Sequence, residues 1–366
     1  MIWSDCMTKK GYIVIIAILL LAIFVTGCTS KNSDLGSTPN SPVKSEPISR
    51  TEFLMDTVMT IKIYDKPDNK ILDKVFSRLE EIESRMSATI ETSDITKINK
   101  NAGVKPVTVN PDTYFVIKGA KYYAEISSGA YDPTIGPLVE LWNIKSGETE
   151  RDYIPSSQDI QSKKSLVDYN DLELLDKNQV FLKKENMEIN LGGIVKGYAA
   201  DEVRRILIEN GVQAAIIDLG GNIFAHGEKA ENLSWKIGIQ NPLEHTGNYL
   251  GILEVKDQSI VTSGDYERFF EYNGKKYHHI LDAKTGYPAE NEITGVSIIS
   301  DASIDGDALS TTLFVLGLDK GMELVNSLDG VEAIFITKDK SIYLTTNLKD
   351  KFSLREGNSD FKIKDY

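Results

Sequence analysis

Apolar residues recur at Ile71, Leu72, Val75, Phe76, Leu79, Ile82 and Met86, three and four positions apart, with charges between them. That spacing predicts an amphipathic helix over residues 71–86, with Asp68 ahead of it as a cap. A second helix is predicted over 112–126, stopping at Ser128-Gly129. A third follows Gly197 and turns Ala200, Val203, Ile206 and Leu207 inward before Asn210-Gly211. Residues 304–316 read as a fourth. Looser alternation marks strands at 53–64, 214–218, Trp235–Gln240, Ile293–Ser300 and Val331–Thr337. Phe269–Tyr272 and 275–279 flank Asn273-Gly274, and that dipeptide supplies the positive φ angles of a type I′ hairpin turn. Strands and helices mix without regular βαβ alternation, so the fold class is α+β rather than a doubly wound sheet. No repeat of twenty to fifty residues signals a solenoid or propeller. Residues 51–350 then form one mixed α/β body with room for two lobes, followed by a polar C-terminal tail over 351–366.

The first thirty residues break this pattern. Lys9 and Lys10 precede an unbroken apolar run from Tyr12 to Phe24, and Val25-Thr26-Gly27 leads to Cys28. A short basic region, an apolar stretch and small residues before a cleavage point describe an exported protein. The run is shorter than the ~20 residues a membrane span needs. Val-Thr-Gly-Cys resembles the lipobox of bacterial lipoproteins, which implies a leader over 1–27 and lipidation of Cys28. The chain would then be held to the outer or periplasmic face of the cell membrane. Residues 28–50, rich in Ser, Pro, Asn and Lys, read as a flexible tether.

Composition removes other classes. The 366 residues carry 54 Asp and Glu against 41 Lys and Arg, a net charge of −13. Cleavage with loss of Asp5, Lys9 and Lys10 takes this to −14. A general nucleic-acid binder needs a basic field, so no nucleic-acid partner is expected. Two cysteines exclude a disulfide scaffold and a multi-cysteine zinc cage. A polyanion could bind such a chain only through a local device, a metal ion or a helix N-terminus.

Two stretches offer one. In Asn190-Leu191-Gly192-Gly193-Ile194-Val195-Lys196-Gly197, glycines lead into a helix beside a mobile cation. This is either an anion seat or a plain Gly-rich turn with a surface lysine; the Walker spacing is absent. In Asp305-Gly306-Asp307-Ala308-Leu309-Ser310-Thr311, a helix puts Asp307 and Thr311 on one face. They are either hard oxygen ligands suited to magnesium or a cap and a hydroxyl bonded back to a carbonyl. The four histidines, His226, His245, His278 and His279, form no zinc pattern, because an adjacent pair on a strand faces opposite ways. Ser128-Gly129-Ala130-Tyr131-Asp132-Pro133-Thr134 reads as a rigid loop after a helix, with Tyr131 able to stack and Asp132 able to accept hydrogen bonds.

Taken in order, these pieces resemble the ApbE family of FAD:protein FMN transferases. The matching stretches are Met55-Asp56-Thr57, Arg85-Met86-Ser87, Gly129 to Thr134, Gly192 to Asp201, Asp218 to Asn222, Thr262 to Tyr266, His279 to Asp282 with Thr285-Gly286, and Asp307 to Thr311. The resemblance covers about residues 53–346. It implies an ApbE-like fold and transfer of FMN from FAD to a Thr or Ser hydroxyl of an acceptor flavoprotein of a membrane redox complex, with release of AMP. It implies FAD contacts at Met55, Ala130, Tyr131, Asp132, Asn190, Lys196 and Leu281. It further implies Mg2+, with Mn2+ as the alternative ion, held by Gly193, Asp307 and Thr311, and proton transfer by His279. Rival readings are a magnesium-dependent FAD pyrophosphatase and a non-catalytic flavin-binding lipoprotein. Three positions depart from the family pattern: Thr89 replaces an aromatic, Asn190 replaces Asp, and Ser310 replaces an Asp found in some members.

Overall fold

Ile48–Leu54 (β1) and Thr57–Ile63 (β2) pair as an antiparallel hairpin at the start of the computed structural model, which describes residues 46–366 apart from 146, 230–232 and 245–246. The leader over 1–27, Cys28, the tether as far as residue 45, and His245 lie outside the described residues. The hairpin corrects the single strand expected over 53–64. The chain reverses at Met55 and Asp56, which have φ of 50° and 58°. Neither residue is Gly or Asn, so the turn leaves no ordinary mark in the sequence.

Asn69–Met86 (α1) buries the predicted stripe, and Asp68 caps it by accepting from the Lys70 amide at 3.0 Å. Asp94–Lys100 (α2), Val107–Thr108 (β3), Pro111–Ile126 (α3), Gly136–Trp142 (α4) and Ser157–Lys164 (α5) follow. Leu172–Leu175 (β4) and Gln179–Leu182 (β5) complete a small sheet with β3. Val195–Glu209 (α6) starts before Gly197 rather than after it. Strands Ala214–Leu219 (β6), Asn222–Gly227 (β7), Trp235–Gln240 (β8), Tyr249–Val255 (β9) and Gln258–Gly264 (β10) come next. Phe269–Tyr272 (β11) and Lys275–His278 (β12) form the predicted hairpin, with φ of 51° and 73° at Asn273 and Gly274.

Ile293–Ser300 (β13) leads to Ser303–Asn326 (α7), a helix broken at Gly317, where φ is 80° and ψ is −179°. The predicted end of this helix at Leu316 falls at that break. Val331–Thr337 (β14), Ser341–Leu344 (β15), Phe352–Leu354 (β16) and Lys362–Lys364 (β17) close the chain. The last two lie in the segment read as a polar tail. Instead, β16 pairs with β9 and β17 with β15, and Phe352 and Phe361 are buried. Isolated aromatics among polar residues carry no period, so the pattern could not show this.

Nine strands make the main sheet in the order β1-β2-β6-β7-β10-β13-β14-β15-β17, antiparallel except for the β15–β17 pair. Helices α1, α3, α6 and α7 cover one face, and the β8-β9-β16 sheet covers the other. Strand alternation sorts the two layers. On β14, Ala333 and Phe335 join the helical side, while Ile334 and Ile336 join the opposite one. All eight residues of β13 are buried, as a strand covered on both faces requires. The α+β expectation holds, and the described residues, from 46 to 366, belong to one compact unit. A third, smaller apolar cluster gathers Leu138, Trp142, Ile160, Phe270 and Leu281 beside the β11–β12 hairpin. Among the described residues no helix is long and apolar enough to cross a membrane.

Candidate active site

Neither of the two helices that carry the candidate residues caps its own N-terminus. The N-cap residue of α6 is Ile194 and that of α7 is Ala302, and neither side chain can accept a hydrogen bond. The orphan amides of a first turn need an acceptor. Here each helix takes it from the other. Asp307 Oδ2, from α7, accepts from the Gly197 amide of α6 at 2.9 Å. Asp201, from α6, accepts from the Ser303 amide at 2.8 Å and the Ile304 amide at 2.9 Å. The helices meet so closely at Gly197 that a Cβ there would lie 2.3 Å from the Ser303 carbonyl oxygen. The sequence had left Asp307 between metal ligand and cap. It is a cap, but of the neighbouring helix, and it uses only one oxygen to do so. That carboxylate occupies the Gly197 amide, one of the groups an anion at the glycine-rich helix start would use.

The other oxygen, Oδ1, makes no hydrogen bond among the described residues and faces Lys196 Nζ at 3.7 Å. Thr311 does not bond back to a carbonyl; the next residue, Thr312, does so, to the Ala308 oxygen at 2.7 Å. Thr311 Oγ1 has no hydrogen-bond partner among the described residues. Gly193 lies directly against it, since a Cβ at Gly193 would sit 3.1 Å from Thr311 Oγ1 and 3.2 Å from the Tyr131 ring. Gly193, Lys196, Asp307, Thr311 and Tyr131 are therefore brought together. Tyr131 Oη is buried without a hydrogen-bond partner among the described residues, and burial, with the charges of Asp307 and Asp132, pushes its phenol well above the usual range. Among the described residues no group of three His, Cys, Asp or Glu side chains could hold a metal.

The loop after β10 and the end of β12 bring further charge. His279 is half-buried just past β12, and its Nδ1 lies 3.2 Å from the Arg268 carbonyl oxygen. Desolvation, then the charges of Arg268, His278 and Lys196, hold its pKa well below the ordinary imidazole value. Its neighbour His278, the last residue of β12, packs on Phe314 and bonds to the Ala289 oxygen. Glu267 is solvent-exposed, yet the protein around it desolvates its carboxyl and raises its pKa. Lys196 and Arg268 oppose that shift and Asp307 adds to it. Glu267 and Arg268 had no role in the sequence reading. The only signal was their position directly after Thr262-Ser263-Gly264-Asp265-Tyr266.

Other expected contacts are placed differently. Ala130, Tyr131 and Asp132 are buried in the loop between α3 and α4. Both Asp132 oxygens are occupied: Oδ1 accepts from Thr134 N and Oγ1 within that loop, and Oδ2 reaches across to accept from the Tyr169 amide, just before β4, at 3.1 Å. Asn190 Oδ1 accepts from the Gly192 amide at 2.8 Å, so a neutral amide shapes the glycine turn. Met55 sits on the β1–β2 turn with its amide bonded to Glu83 Oε1, and Leu281 lies in the small apolar cluster. No hydrogen bond joins either of them to the Asp307 group. Ser310 points inward, accepting from Ser263 Oγ at 2.8 Å and donating to the Asp307 carbonyl at 2.9 Å, so its hydroxyl braces the helix. Thr89 is exposed beyond α1 and bonds to Ser87.

Comparison with known proteins follows the same outline. The ApbE family model matches residues 55–335. An FAD:protein FMN transferase of Klebsiella pneumoniae (strain 342) is 37% identical over 308 residues, spanning 83% of this chain and 94% of that one. One of Treponema pallidum (strain Nichols) is 35% identical over 321 residues, spanning 83% and 88%. Among solved structures, the ApbE protein of Thermotoga maritima superposes with a TM-score of 0.75 at 32% identity, over 85% of this chain and all of that one. The flavin transferase ApbE from Vibrio cholerae gives 0.75 at 26% identity, over 84% and 99%. With most of its length matched by the family model and by relatives above 30% identity, this chain belongs to the ApbE family.

Proposed function

We propose that this chain is an FAD:protein FMN transferase that moves FMN from FAD to a Thr or Ser hydroxyl of an acceptor flavoprotein, with magnesium required and AMP released. The observation that carries this reading is a pair of hard oxygens that take no hydrogen bond among the described residues, Asp307 Oδ1, ion-paired with Lys196, and Thr311 Oγ1, in a family whose relatives bear that activity. A carboxylate and a hydroxyl suit magnesium, which completes its shell with phosphate oxygen and water. Gly193, Asp307 and Thr311 would hold it, with manganese as the alternative ion. Bound there, the ion would supply charge neutralisation on the diphosphate, the main requirement of phosphoryl transfer.

The protein's own groups do the rest. Lys196 adds a mobile cation toward the diphosphate of a substrate that the acidic body would otherwise repel. With Nδ1 donating to the Arg268 carbonyl, His279 presents Nε2 as a base toward the acceptor hydroxyl. The hydroxyl oxygen bonds to the FMN-side phosphorus, the bond to the bridging oxygen breaks, and AMP departs with that oxygen. The hydroxyl proton goes to His279. We place this enzyme on the outer or periplasmic face of the cell membrane, lipid-anchored through Cys28, where the tether gives it reach to membrane-bound acceptors.

The test incubates the full chain with FAD, magnesium and a flavin-accepting domain, read by intact mass. The expected result is an acceptor heavier by FMN. Free FMN with an unlabelled acceptor would mean hydrolysis instead. Asp307→Ala is expected to lower labelling by two or more orders of magnitude, because one carboxylate contributes both the cation ligand and a helix cap. Labelling at the parent rate in that variant would remove the metal assignment.

A further inference from the structure

We propose that Asp201 is a positioning residue that sets the register of α7 against α6 and so holds Asp307 and Thr311 over Gly193 and Lys196; this rests on the transfer reading above. Both of its oxygens are engaged, one on the Ser303 amide and one on the Ile304 amide. Those residues lie one helical turn before Asp307. A slip in the first turn of α7 therefore carries straight to the Asp307 carboxylate: one residue of helix is a 1.5 Å rise and 100° of rotation. Asp307 returns the bond to Gly197, four residues before Asp201 and next to Lys196. The two helices are tied at both ends of one turn. The missing Cβ at Gly197 lets the backbones touch between the ties.

Charge makes the arrangement costly. Burial, helped by the charge of Asp305 on α7, pushes the Asp201 carboxyl up to about 6, against its two amide bonds and Arg204 on its own helix. From α3, the Tyr123 hydroxyl faces the same group and donates to Asp305 Oδ1 at 2.5 Å. A serine at position 302 would cap α7 without burying an ion. An acceptor supplied by the neighbouring helix does what such a cap cannot: it joins the two helices. Placement errors of about 1 Å are enough to cost ~100-fold in reactions governed by orientation.

The discriminating variants are Asp201→Asn, alone and with Ala302→Ser. The amide side chain has the shape of Asp but only one acceptor, so one of the two α7 amides meets an NH2 group. The added serine gives α7 a cap of its own without restoring the tie. Mn2+ is titrated by electron paramagnetic resonance into the FAD-loaded full chain, and amide exchange is followed in parallel. Expected for Asp201→Asn is Mn2+ affinity at least 10-fold weaker and faster exchange at Ser303, Ile304 and also Gly197, whose own partner is intact. Amides of β13 and β14 should stay unchanged. In the double variant, melting temperature should recover while Mn2+ affinity stays low. Recovery of both together, parent-like Mn2+ affinity in Asp201→Asn, or lost protection throughout β13 and β14 would each reduce Asp201 to a structural cap and overturn the proposal while leaving the transfer reading in place. A parent that takes up no Mn2+ would overturn both.

Discussion

His279 shows how a single residue acquires a chemical identity from its surroundings. Nδ1 faces the Arg268 carbonyl, which accepts from it, and desolvation, then the charges of Arg268, His278 and Lys196, hold the ring's pKa well below the ordinary imidazole value. Because its folded pKa is depressed, a base at this position stays competent as pH falls from 8 through 6.5. The pH profile of acceptor labelling is therefore expected to lack an acid limb near 6.5, and a limb there would take the proton transfer away from His279. His279→Ala should slow labelling by about 10²–10⁴, the span of a positioned base, with FAD binding retained in an equilibrium titration. Asp201 has the opposite sign. Its folded pKa of about 6 lies above the ordinary carboxyl value, so the folded protein holds the extra proton between about pH 4 and 6. Its contribution to stability falls as pH rises across that window. The melting temperature of the parent relative to Asp201→Asn should decline from pH 4 to 6 and then level off.

Elements were legible where one surface alone decides them. The stripe of α1 and the Asn273-Gly274 hairpin follow from local period and turn chemistry. The β1–β2 turn escaped because Met55 and Asp56 adopt positive φ without glycine. The mutual capping of α6 and α7 escaped because each cap is about a hundred residues from the amide it serves. Glycine at 197 is a consequence of that crossing. Gly197→Ala is expected to destabilise by about 1–3 kcal/mol, the usual cost of forcing a methyl into closed packing, measured by denaturant unfolding. An unchanged midpoint would mean that the helices can separate at no cost.

Across the described residues, one nine-stranded sheet serves two layers, and the chain's last strands complete one edge of each sheet, β17 on the nine-stranded sheet and β16 on the three-stranded one. Phe352 brings β16 onto β9, while Phe361 seals the same apolar layer from the connection to β17. Phe352→Ala should cost about 3–5 kcal/mol, the range for a buried aromatic. A chain stopped at Asp350 should melt well below the parent and self-associate through the uncovered edge of β9. Parent-like melting of the shortened chain would restore the reading of 351–366 as a tail.

The sequence by itself determined the periodic elements, the α+β class, and the order of short motifs that marks the family. Each of these is carried by neighbours in the chain or by residue types in series. Only the tertiary structure decided which carboxylate caps which helix, which oxygens of Asp307 and Asp132 are spent on amides, and where His279 keeps its proton. Those outcomes depend on distances between residues far apart in the chain, and on burial, which no local pattern encodes.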